Sequence, residues 1–160
     1  MKRILVIGYG NPLRGDDGVG WHVATQLFEH MGAERCDVRT LHQLVPELVD
    51  DLARSELAVL IDASADHSPG SVRIRELQCK APPKEGGTFS HHVGPGELLT
   101  LTATLYGRIP RTFLCTIGGE DFGYSERLSQ TAQTAVQQAM ALIVALLRCV
   151  EEGLCPDARS

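Results

Sequence analysis

Three places in this sequence combine residue types able to bind a metal ion or move a proton. They are the Asp16-Asp17 pair in Gly8-Tyr9-Gly10-Asn11-Pro12-Leu13-Arg14-Gly15-Asp16-Asp17-Gly18, the single Asp62 ending an apolar run, and His91-His92 just ahead of Gly94-Pro95. Asp16 and Asp17 precede a helical pattern, so one of them suits an N-cap, worth about 1 kcal/mol. Adjacent carboxylates cannot both serve the same cap, which leaves the other to face the strand ends. Asp62 either caps a turn into Ser64 or Asp66 or does chemistry, because an ionised carboxylate at the end of a buried strand has to be paired, hydrogen-bonded or bound to metal. A histidine near a helix N-terminus is kept neutral by the dipole, so its lone pair stays free for a metal. Two carboxylates and one imidazole make a three-ligand site with open positions for a borderline divalent ion such as nickel or zinc. Such a centre polarises a peptide carbonyl or lowers the pKa of bound water toward about 7.

Competing chemistries are weaker. Gly8-Tyr9-Gly10 opens like a dinucleotide fingerprint, but the third glycine would fall on Leu13, and two nearby carboxylates would repel a phosphate. No G-x-S-x-G elbow or Ser/His/Asp order supplies another nucleophile.

The elements that must position these residues follow from apolar spacing. Arg3–Gly8 is a buried parallel-type strand, the only one that looks fully central. From Asp17 to Met31, Val19, Val23, Leu27 and Met31 recur every four residues, as on an amphipathic helix that begins just after Asp16-Asp17-Gly18. Cys36–Leu41 reads as a strand and Pro46–Arg54 as a short helix. Leu57–Ala63 carries the strongest strand signal, with Asp62 its single charge. Val72–Leu77 alternates like a half-exposed edge strand after the Pro69-Gly70 turn, and Lys80–Thr88 is a Pro/Gly-rich loop, a candidate lid or plain connection. Pro95–Tyr106 is a helix, Arg111–Ile117 a strand, and Ser129–Val150 a closing helix. Alternating strands and helices predict an α/β fold, a three-layer α/β/α sandwich around a mostly parallel twisted sheet of about five strands. Ligands in such folds gather outside the C-terminal strand ends, where Asp17 and Asp62 fall and toward which Thr88–His92 leads.

A length of 160 residues with 43% apolar side chains fits one domain, residues 1–160. The formal charge of −5 and the absence of a dense Lys/Arg run argue against nucleic acid as a partner. Five cysteines without a C-x-x-C pair read as reduced thiols, Cys36 and Cys115 as small buried hydrophobes. Met1–Gly8 lacks the apolar core of a signal peptide, and no stretch is expected to reach the roughly 20 apolar residues that span a bilayer. The expected location is the cytoplasm, with no membrane partner.

Together, these residues resemble the hydrogenase maturation protease family, endopeptidases specific for nickel–iron hydrogenase large subunits. The likeness covers nearly the whole chain and is most specific over Gly8–Gly20, with Ile61-Asp62-Ala63 similar to the family's strand-terminal aspartate and Ser90-His91-His92 to its Ser-x-His element. The resemblance implies that Asp17, Asp62 and His92 contact a metal and carry catalysis, with His91 taking the place of His92 if one gap is moved. It implies nickel, carried in by the substrate, with zinc or cadmium as surrogate. It also implies a hydrogenase large-subunit precursor as partner, cut to release a short C-terminal tail. Where relatives commonly carry Asp-Gly after the second strand, Leu41-His42-Gln43-Leu44 stands here, with His42 or Gln43 either lining the cleft or solvated. Asp17 and Asp62 as an aspartic dyad sharing a proton, the arrangement of an aspartyl protease, is a second mechanism for the same residues. A non-catalytic binding module or maturation chaperone is the reading from another class.

Overall fold

The computed structural model describes residues 3–79 and 93–155. Strands β1 (Ile4–Tyr9), β2 (Cys36–Leu41), β3 (Leu57–Ser64), β4 (Val72–Glu76) and β5 (Arg111–Gly118) alternate with helices α1 (Val19–Met31), α2 (Leu48–Ala53), α3 (Pro95–Tyr106) and α4 (Gln130–Glu151). The strands form one sheet in the order β2-β1-β3-β5-β4. The pairs β1/β2, β1/β3 and β3/β5 are parallel, and β4 joins β5 antiparallel. Ile4, Val6, Val59 and Ile61 face α1 and α4 on one side, while Leu5, Ile7, Ala58 and Leu60 face α2 and α3 on the other. The expected mostly parallel sheet between helical layers is therefore present.

Two expectations need correction. β1 is not the only fully central strand: β3 occupies the middle of the sheet, and Leu57–Ile61 are all buried to 1% exposure or less. An apolar run tells that a strand is covered on both faces but not which strands flank it. The first helix begins at Val19, just after Asp16-Asp17-Gly18 as its pattern implies, and Gly15–Gly18 ahead of it form a 3-10 turn whose Gly15 and Asp16 amides donate to the Ser125 and Asp121 carbonyls at 2.8 Å each. Finally, the 22-residue α4 is long and apolar enough to cross a membrane by length and composition alone. Its Ala132, Ala135, Val136, Ala139, Ile143 and Leu147 instead pack on the sheet with α1.

The edge strand follows its sequence alternation. Val72 and Ile74 pack on the α1/α4 side, whereas Arg73 and Arg75 point to the opposite face and are exposed. Cys36 and Cys115 are buried, and burial pushes their thiols up to about 11 and about 12, as inert apolar fillers.

The strand order sets the functional geography. The chain leaves β1 toward β2 on one side of the sheet, and β3 lies on the other, so the connections diverge between the C-terminal ends of β1 and β3. Helix α1 must come very close there. A Cβ on Gly20 would lie 2.5 Å from the Ile61 carbonyl oxygen, so only glycine lets the helix seat against β3. Replacing it (Gly20→Ala) is expected to lower stability by about 2–3 kcal/mol, the range for overpacking a well-filled core, measured by urea unfolding; an unchanged midpoint would contradict this close approach.

Candidate active site

The adjacent aspartates have separate jobs, and neither caps its own helix: no side-chain cap bond exists at the 3-10 turn or at α1. Asp16 is fully buried. Its Oδ1 accepts the Ser129 N–H at 2.8 Å, and its Oδ2 accepts the Ser129 hydroxyl at 2.7 Å and the Glu120 and Asp121 N–H groups at 2.8 and 3.1 Å. Burial alone would raise its pKa, but these donors outweigh that and hold it below the ordinary carboxylate value. The carboxylate thereby fastens the segment after β1 to the segment after β5. A bridge between Arg14 and Ser125 and the bond from the Ser125 N–H to the Leu13 carbonyl at 3.0 Å complete the seam.

With Asp16 turned inward, Asp17 is half-buried and accepts the Asn11 N–H at 2.7 Å. Gly10 makes this turn possible. Its φ of +137° is open mainly to glycine, and a Cβ there would lie 2.1 Å from the Asp17 carbonyl oxygen.

Asp62 ends the buried part of β3, directly across from Thr116 of β5. Burial pushes its carboxyl up to about 6; hydrogen bonding from the Tyr9 hydroxyl and the Ala63 amide pulls the other way, and the charge of Asp17 pushes it up further. Tyr9, one residue beyond the paired Gly8 and Ile61, has its own pKa raised by burial and by Asp62. The structure thus brings Asp17, Asp62 and Tyr9 to the divergence between β1 and β3. Two carboxylates close enough for the charge of Asp17 to raise the pKa of Asp62 fit a divalent cation, which relieves both the burial cost and the repulsion. A carboxyl near 6 also suits proton exchange close to neutrality.

His91 and His92, the third element of the expected ligand set, lie outside the described residues, as does the Lys80–Thr88 segment. Among the described residues, no group of three metal-donor side chains forms. Val93, the first described residue after the histidines, packs on the same apolar cluster as Tyr9. His42 and Gln43 are exposed, and the His42 ring meets Trp21 edge-on with centroids 5.8 Å apart. The Trp21 indole N–H donates to the Leu41 carbonyl at 3.0 Å, so an aromatic pair occupies the end of β2. Tyr9 went unnoticed in the sequence; its one signal was a bulky phenol between two glycines at a strand end. A depression of about 460 Å³ lined by Glu56, Pro110 and Cys155 opens at the other end of β3 and β5 and contains neither Asp17 nor Asp62.

No protein-family model matches this chain. The hydrogenase maturating endopeptidase HybD from E. coli superposes with a TM-score of 0.72, covering 91% of this chain and 92% of that one at 23% identity. A hydrogenase 2 maturation peptidase from a Thaumarchaeota archaeon superposes with a TM-score of 0.66 at 25% identity, over 91% of this chain and 98% of that one. The chain shares its fold with these hydrogenase maturation proteases. A protein of Methanocaldococcus jannaschii, named provisionally as a hydrogenase maturation protease, is 28% identical over 83 residues, 46% of this chain and 49% of its own. The sequence match thus spans about half the length of that relative. Hydrogenase maturation proteases provide the fold within which Asp17 and Asp62 meet; the hydrogen bonds and burial that separate the roles of Asp16, Asp17 and Asp62 are read from this chain itself.

The two buried carboxyls predict opposite pH dependences. Asp62 has a folded pKa above its unfolded one, so its neutral form stabilises the fold below about pH 4 and that contribution is lost as pH rises through about 6. Asp62→Asn should therefore be more stable than wild type near neutral pH, by up to about 3 kcal/mol, with the gain vanishing in acid. Asp16 has a lowered folded pKa, so its contribution is present above the ordinary carboxylate value and lost as pH falls through the folded one. Asp16→Asn should be less stable by about 3 kcal/mol near neutral pH, with the deficit shrinking in acid. Urea midpoints across the acid-to-neutral range test both, and deficits of the same sign would contradict this division of roles.

Proposed function

We propose that this chain is an endopeptidase that removes the C-terminal extension of a nickel–iron hydrogenase large-subunit precursor after nickel insertion. The reading is supported above all by the convergence of Asp17 and Asp62 at the divergence of β1 and β3, where burial and mutual repulsion leave Asp62 with a pKa of about 6. His92, or His91 beside it, is the proposed third donor, and the metal is the substrate's nickel rather than a resident cofactor. The fold relationship to HybD of E. coli and the partial sequence match supply the class of substrate. The cytoplasm is the proposed compartment, in keeping with five cysteines and no C-x-x-C pair.

In this reading the precursor's nickel docks against the two carboxylates and carries the adjoining peptide bond into the crevice. Water adds to the scissile carbonyl carbon and gives a proton to a carboxylate oxygen of the pair that the nickel leaves uncoordinated. That proton passes to the leaving amine as the C–N bond breaks, giving one carboxyl and one amino terminus. The buried rim of β3 limits competing water, and Tyr9 fixes the orientation of Asp62 by hydrogen bonding to it. A second reading keeps the endopeptidase but lets Asp17 and Asp62 share a proton as an aspartic dyad. The influence of Asp17 on Asp62 favours it.

Mixing the purified protein with nickel-loaded large-subunit precursor and weighing the products tests the proposal. The precursor should lose its tail, and Asp62→Ala should slow that loss by at least about 100-fold while retaining the wild-type circular dichroism. Undiminished cleavage of a nickel-depleted precursor would favour the dyad. Stable co-elution with an unchanged mass would make the protein a non-catalytic binding module.

A further inference from the structure

We infer that Arg73 and Arg75 of β4 form a cationic subsite for the carboxylates of an extended acidic peptide that runs from Asp62 across β5, an inference that rests on the endopeptidase reading. The sheet register places them. Asp62 pairs with Thr116, and Thr116 pairs with Arg73; one step down, Leu60 pairs with Leu114 and Leu114 with Arg75. Ile61, Cys115 and Ile74 all belong to the α1/α4 side. Since side chains alternate along a strand, Asp62, Thr116, Arg73 and Arg75 share the other face. The Arg75 charge reaches far enough along this face to act on Tyr9.

Both guanidiniums are exposed, and neither has an ion-pair partner among the described residues. Arg3, Arg35, Arg39, Arg54 and Arg111 each meet an aspartate or glutamate, whereas Arg14, Arg108, Arg127 and Arg148 share with Arg73 and Arg75 the lack of an ion pair among the described residues; what sets Arg73 and Arg75 apart is that they stand side by side on the face of Asp62. In a chain of formal charge −5, acidic groups are not scarce. Two arginines side by side on the face that carries Asp62, without an ion-pair partner among the described residues, form a local cationic patch. The strand that carries them is firmly held: Arg111 grips Glu76 through two bonds of 2.8 and 3.1 Å, and the Leu77 N–H donates to the Thr112 carbonyl at 2.8 Å. A rigid base lets two long side chains present a defined pair of charges.

The spacing indicates what they would bind. From β3 across β5 to β4 is two strand spacings, about 10 Å, and an extended chain advances about 3.3 Å per residue. A carboxylate about three residues from the bond at Asp62 would then meet Arg73. Residues two apart on a strand stand about 7 Å from each other, so once the segment turns to follow β4, Arg73 and Arg75 match acidic side chains at its alternate positions. A neutral or basic tail would gain nothing from this patch. Asp62 and Asp17 repel negative charge at the reacting bond itself, so the arginines also set the direction in which an acidic segment can lie.

Fluorescence anisotropy with two labelled peptides tests this. One carries aspartate at alternate positions in a serine background, and the other carries asparagine at the same positions. At low salt the wild-type protein should bind the aspartate peptide about fivefold more tightly, and Arg73→Gln/Arg75→Gln should erase the preference while keeping the wild-type circular dichroism. The preference should also fade at high salt. Equal affinity for both peptides in wild type, or a preference that survives in the double variant, would overturn the inference. The assay needs no cleavage: precursor processing without peptide preference sinks only the subsite, whereas an uncut precursor sinks the endopeptidase reading independently.

Discussion

The geometry of this protein depends on one buried carboxylate. Asp16 has no solvent exposure and receives four hydrogen bonds from Ser129, Glu120 and Asp121, joining the segment that leaves β1 to the segment that enters α4. Because that carboxylate is committed inward, its neighbour Asp17 is free to stand at the crevice. The backbone around the pair is shaped to match: a positive-φ glycine at position 10, a short 3-10 turn, then α1 pressed against β3 at Gly20. Charge is held inside the protein at one position, and in the proposed function the next position offers charge to a ligand.

That offer works against the fold. Asp62 sits where a parallel sheet would otherwise continue with an apolar residue, and its raised pKa reports the unfavourable placement of an ionised carboxylate there. Tyr9 and the Ala63 amide relieve part of it and Asp17 adds to it. A cation brought by a partner would relieve the remainder, so binding and local stability are coupled at this point. The topological divergence of β1 and β3 supplies the opening in which this can happen without breaking a strand pair.

Much of the fold was legible because apolar periodicity is local. The boundaries of β2 and α3 are those that the sequence implied, and β4 alternates as an edge strand should. The position of β3 at the centre was not legible, since β1, β3 and β5 are all buried on both faces and differ only in which neighbours they have. The sequence placed Asp17 and Asp62 at strand ends, and the fold brings them within electrostatic reach of each other. It could not divide the work between Asp16 and Asp17, because the groups that claim Asp16 lie 104 to 113 residues further along the chain. For the same reason Tyr9 read as an ordinary strand residue until β3 stood beside it. That Arg73 and Arg75 meet no acidic partner among the described residues was equally invisible, since any acidic residue of the chain could have met them.

The proposed function requires the carboxyl groups of Asp17 and Asp62 to form one cation seat. Carboxyl carbon NMR during titration with Zn²⁺, a diamagnetic divalent ion, tests it most directly. The resonances of both residues should move together and saturate at one equivalent, while the Asp16 resonance stays fixed in its hydrogen bonds. Movement of only one of the two, or separate saturation, would show that the carboxylates do not act on a common ion.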